Sequence, residues 1–180
     1  MRKEDLDQDV LGNRPTLNHA YEVEMKPRHT VSTVPSDTIK SARAMMGLGN
    51  LFLKVGDSWA ALLAGAPRIN AEIGEASPGW MASTLAIAAL LQSKEKLSDR
   101  QAEEASRLRV DWKYALHLSM YYPGLSRLML CRFRQRVYHD PAWEQEFQSI
   151  LDQFIEQGLF QERQDLFSGL DVVFFDTTSI

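Results

Sequence analysis

The run "WMASTLAIAALL", Trp80 to Leu91, is the longest apolar stretch in the chain. At about a dozen residues it is too short to span a bilayer, which takes about twenty residues as a helix. A helix with no polar face belongs in an interior, so the run reads as a core helix. The residues before it carry the same signal. "SDTIKSARAMMGLGNLFLKVGDSWAALLAGA" sets apolar residues at helical spacing from Ser36 onward. Gly47, Gly49 and Gly56 punctuate it, and the pattern predicts helix interrupted near Gly56.

Beyond the core helix the start and stop signals are strong. In "LSDRQAEEASRLRV", Ser98 predicts an N-cap and Gln101, three residues on, completes a capping box. A short helix "WKYALHL" follows and "YYPGL" ends it, because Pro123 has no backbone N–H and Gly124 permits a turn. Leu125 to Tyr138 predict a further helix. Asp140 as N-cap and Pro141 at the first helical position open the last one. There Trp143, Phe147, Ile150, Leu151, Phe154 and Ile155 form an apolar face, and Gly158 closes it.

Residues 1–40 are polar and hold Pro15, Pro27 and Pro35; the alternation in "AYEVEM" suits a hairpin, and the composition suits a disordered leader. "MRKEDLDQDV" has no apolar h-region, so no signal peptide is expected. The single cysteine, Cys131, allows no internal disulfide and fits a reduced, cytoplasmic setting. No Cys or His stands at zinc-ligand spacing from His19, His29, His117 or His139. "GLGN" lacks the preceding strand and the lysine of a phosphate loop.

Net charge is −4, which argues against a strongly basic nucleic-acid binder, but the charges are segregated. Residues 100–139 hold eight basic and three acidic side chains, and residues 140–180 hold one basic and nine acidic. The basic block is either a polyanion-binding surface or the internal counterpart of the acidic block. Its three short helices, residues 98–138, have the scale of a helix-turn-helix unit, whose last helix enters the major groove. In "LSRLMLCRFRQRVY" the helical period puts Leu125, Leu128, Met129, Phe133 and Val137 on one broad face. Arg127, Cys131, Arg134 and Tyr138 fall opposite. Arg132 and Arg136 fall inside the apolar arc, where they must snorkel or pair. Guanidinium groups opposite a core face can pair with phosphates or with guanine edges. They can equally pair with the acidic helix that follows. Trp112 and Tyr114 read as core residues, and Lys113 between them as a phosphate contact.

"LSDRQAEEASRLRVDWKYALHL" closely resembles the N-terminal domain of bacterial insertion-sequence transposases of the DDE type, the InsH-type domain. The resemblance rests on Ser98, Asp99, Arg100, Gln101, Ala102, Ala105, Arg107, Arg109, and on Asp111 to Leu116. Pro123, Gly124, Phe133, Arg134 and Arg136 continue it, and it covers roughly residues 49–160. "HLSMYY", residues 117–122, replaces a more polar family stretch, and His117 stands where glycine is usual. The resemblance implies binding of double-stranded DNA at an element's ends, with Arg109, Lys113, Arg127, Arg132, Arg134 and Arg136 as the contact candidates.

The resemblance also gives a meaning to "DVVFFDTTSI", residues 171–180. A double-sided apolar run such as Val172 to Phe175 suits a strand covered on both faces. Asp176, just after it, matches the first catalytic and metal-binding aspartate of a ribonuclease H-like domain. In the full-length family that aspartate and two later acidic residues hold Mg²⁺ for phosphodiester chemistry. Alone, Asp176 is the beginning of an incomplete triad. The expectation is therefore a truncated transposase that neither cleaves DNA nor holds Mg²⁺ by itself.

The expected fold class is mainly α: a multi-helix domain with a helix-turn-helix-like unit, a short C-terminal strand and, on the hairpin reading, an N-terminal hairpin. The expected organisation is a polar leader over 1–40, a helical DNA-binding domain over 41–160, and a linker with the first catalytic strand over 161–180. The competing functional reading is a protein-interaction module. It would dimerise through the apolar face of residues 143–155 or pair with and inhibit full-length transposase. A decayed element product is the third. None involves a membrane.

Overall fold

The computed structural model describes residues 33–70 and 79–160. Eight helices account for most of these residues, and no strand occurs among them. In chain order they are α1 (Ser36–Met45), α2 (Leu51–Asp57), α3 (Trp59–Leu62), α4 (Gly79–Glu95), α5 (Asp99–Leu108), α6 (Val110–Ala115), α7 (Arg127–His139) and α8 (Pro141–Glu156). The fold is mainly helical, as the periodicity predicts. The hairpin and leader readings of residues 1–32 and the strand at 172–175 lie outside the described residues.

α4 is the axis of the core. Every side chain from Ala82 to Ser93 is buried. Ala82, Ala86, Ala88 and Ala89 add little bulk, so α5, α7 and α8 can all pack against the helix. Leu85, Ile87, Leu90 and Leu91 share one cluster with Leu130, Phe133 and Val137 of α7 and with Phe147, Ile150, Leu151 and Phe154 of α8. The chain ends of the helices follow local chemistry. Ser98 and Gln101 form the expected reciprocal capping box, and Asp140 accepts from the Ala142 amide ahead of Pro141.

Three helices end alike. After α4, α6 and α8 the residues Lys96, His117 and Gly158 take positive φ values of 54°, 54° and 65°. In each case the amide of the next residue bonds back to the last turn: Leu97 to Gln92, Leu118 to Lys113 and Leu159 to Phe154. This motif favours glycine at the left-handed position, which accounts for the glycine that the resemblance leads one to expect at 117. Histidine is held there by other contacts. Its ring stacks on Trp59 at 4.0 Å, and Nε2 lies 2.7 Å from the Gly56 carbonyl oxygen.

α1 belongs to the folded unit, so the helical domain begins before residue 41. Ala42 packs with Leu53 and Tyr114 in a second, smaller cluster. Thr38 donates to the Leu118 carbonyl at 2.7 Å. Arg43 donates to the Tyr114 hydroxyl, and that hydroxyl donates to Asp57 at 2.7 Å.

Candidate nucleic-acid interface

The junction of α4, α5, α6 and α7 is held by ion pairs set into the apolar core. Arg134 on α7 is 4% exposed. It reaches Asp99 at the start of α5 at 2.6 Å and the side-chain oxygen of Gln92 on α4 at 3.2 Å. The Gln92 amide in turn donates to Asp99 and to the Leu97 carbonyl. One polar residue inside the apolar helix thus ties three elements together. Buried polar groups need such partners, because an unpaired one keeps its full desolvation penalty.

Arg109 sits between α5 and α6 in a second network. Its two terminal nitrogens grip Glu95 at 2.8 and 2.9 Å, and Nε and one terminal nitrogen also bond Asp111 at 3.0 and 2.7 Å. The Trp112 indole N–H completes Glu95 at 2.8 Å. The guanidinium lies over the rings of Phe52 and Trp112. Hydrogen bonds to Asp111, and then to Glu95, outweigh partial burial and raise its pKa further.

Lys113 is 2% exposed. Its ammonium donates to the carbonyls of Tyr122 at 2.6 Å and Ser119 at 3.3 Å, and burial lowers its pKa. The neighbours Trp112 and Tyr114 are core residues, as their sequence context predicts.

The six contact candidates therefore divide evenly. Arg109, Arg134 and Lys113 are engaged inside the chain. Arg127, Arg132 and Arg136 are exposed. Arg136 makes a loose pair with Asp140 at 3.8 Å and lies over Trp143. Arg127 and Arg132 take part in no ion pair among the described residues, and neither do the exposed Arg100 and Arg107 of α5. Arg100 and Arg107, seven positions apart, lie on one helical face. They stood in the matched motif but not among the contact candidates.

The inward face of α7 differs from the expected one. Leu130, Phe133, Arg134 and Val137 point inward, while Leu128 is 54% exposed. The expected face included Leu125 and Leu128, but Leu125 precedes the helix. Rotating the face brings Arg134 in and leaves Arg132 and Arg136 outside.

The apolar face of α8 is also occupied. Phe147, Ile150, Leu151 and Phe154 are buried within the chain. The face expected to serve dimerisation is part of the core.

Asp176 lies outside the described residues. Among those described, no three His, Cys, Asp or Glu side chains gather where they could hold a metal ion. Cys131 is half-buried on α7. No helix among the described residues is long and apolar enough to cross a membrane.

Residues 59–136 match the family described as Transposase domain (DUF772). The matched segment runs from α3 through most of α7. No curated protein and no solved structure matches the chain.

Proposed function

We propose that the helical domain binds double-stranded DNA through Arg100 and Arg107 of α5 and Arg127, Arg132 and Arg136 of α7, in the service of DNA transposition. The observation that carries this reading is the outward set of guanidinium groups, of which only Arg136 has an ion pair among the described residues, a loose one to Asp140, on a domain that matches a transposase family. Arginine supplies a planar fork for phosphate oxygens and for guanine edges. In this reading α5, α6 and α7 act as a helix-turn-helix-like unit with α7 presented to a groove. Arg109, Arg134 and Lys113 contribute by holding the helices in register.

Strand cleavage is assigned to no described residue. Asp176, where the family's first Mg²⁺-binding aspartate falls by resemblance, enters only as that position. A second copy or a full-length transposase would have to meet a face other than the buried side of α8.

The test is fluorescence anisotropy of the purified chain against a duplex carrying the element's terminal repeat and against a scrambled duplex, across a salt series. Binding should weaken steeply with salt. Each of Arg127→Ala and Arg132→Ala should reduce the slope of log affinity against log salt by about 1. An unchanged slope in both would remove α7 from the interface.

A further inference from the structure

The loop between α6 and α7 is held at several of its backbone polar groups. The Lys113 ammonium binds the carbonyls of Ser119 and Tyr122 from beneath. From α1, Asp37 accepts from the Ser119 hydroxyl at 2.8 Å and from the Met120 amide at 2.9 Å. The Ser119 hydroxyl oxygen accepts from the Tyr121 amide, and the Tyr122 amide closes a turn onto the Ser119 carbonyl. Downstream, the Leu125 amide donates to the buried Ser106 hydroxyl at 2.8 Å.

At the apex of this immobilised loop stands Tyr121, 90% exposed. Its ring makes no contact with another ring or with a cation among the described residues. A large aromatic side chain left in water contributes little apolar burial to the fold. The loop is also bordered by cations. Gly124, three residues on, lies against the backbone of Arg107. Three Cα–Cα steps span at most about 11 Å, so Tyr121 and Arg127, each three residues from Gly124, both lie within that distance of the turn.

We propose that Tyr121 is a stacking residue for an unpaired or unstacked DNA base, flanked by phosphate contacts from Arg107 and Arg127. This inference rests on the DNA-binding reading above and adds a preference for distorted DNA. Rigid aromatic platforms beside guanidinium groups bind exposed bases irrespective of sequence, because every base has a π-face. A rigid loop also loses little entropy on binding.

The test compares the whole chain with Tyr121→Ala and Tyr121→Trp. The probes are a fully paired duplex and the same duplex with one unpaired 2-aminopurine. The unaltered chain should bind the bulged duplex about tenfold more tightly and quench the 2-aminopurine. Tyr121→Ala should abolish both the preference and the quenching while leaving affinity for the paired duplex unchanged, and Tyr121→Trp should restore them. Equal affinity of the unaltered chain for the two duplexes, or a preference that survives Tyr121→Ala, would overturn the stacking role while leaving groove binding intact. Failure to bind either duplex at low salt would overturn the DNA reading and this inference together.

Discussion

Two sets of cations lie within forty residues of one another and do opposite things. Arg109, Lys113 and Arg134 face inward, each satisfied by carboxylates or carbonyls of other elements. Arg100, Arg107, Arg127 and Arg132 face outward with no ion pair among the described residues. The difference does not lie in the side chains. It lies in what the fold supplies: Glu95, Asp99 and Gln92, at the end of the core helix or just beyond it, claim two of the guanidinium groups. A basic stretch in a sequence is therefore not a basic surface until its internal partners have been subtracted.

The largest effect that could break this comparison comes from exchanging one member of each set for alanine. Arg134→Ala leaves Asp99 and the Gln92 side-chain oxygen without their main partner in the core. The loss should be about 3 kcal/mol of unfolding free energy, the low end for breaking a buried pair because Asp99 remains partly solvated. Arg127→Ala should change stability by less than about 0.5 kcal/mol. Urea unfolding of both variants measures the contrast. Comparable losses would mean that the two sets do not differ in role.

A somewhat smaller effect is expected at the turn that joins the outward arginines of α5 and α7. Gly124 has φ +102°, and a Cβ there would stand 2.8 Å from the Arg107 Cβ. Gly124→Ala should cost about 2 kcal/mol through backbone strain and crowding combined. Gly47 offers the control, since a Cβ there meets nothing within 4 Å. Gly47→Ala should be neutral or slightly stabilising by restricting the unfolded chain. Thermal or urea unfolding of the pair decides it, and a tolerant Gly124 would mean that the turn does not fix where Arg107 and Arg127 stand.

Much of this fold is written locally and was legible for that reason. The capping box at Ser98, the Asp140–Pro141 start and the glycine after α8 each depend on residues a few positions apart. The all-apolar run at 80–91 could only be interior. The inward face of α7 was not legible, because it depends on distant partners. Arg134 meets Asp99 and Gln92 across 35 and 42 residues of chain, and no helical wheel contains them. Leu128 is as apolar as Leu130, and only the packing against α4 decides which is covered. The same limit hid the loop at 119–122. Part of its hold comes from Asp37, more than eighty residues upstream.

That aspartate supplies the smallest and most selective test, because it answers the buried Lys113 from the other side of the same loop. Burial pushes the Asp37 carboxyl upward, but hydrogen bonds from the Ser119 hydroxyl and from the Met120 and Thr38 amides outweigh it and hold the pKa below the usual 3.8. A carboxylate depressed in the folded state stabilises fully above its unfolded value and loses that contribution as pH falls through the folded one. The stability of the unaltered chain should therefore exceed that of Asp37→Asn by about 1 kcal/mol at neutral pH, and the gap should close below about pH 4. Taking the difference between the two proteins cancels the other carboxylates that titrate in the same range. A gap that persisted into acid would assign the contribution to shape and not to charge. A gap absent at pH 7 would mean that Lys113 alone holds the loop. In that case the inward cations, without help from a facing carboxylate, would set how rigidly the loop is presented.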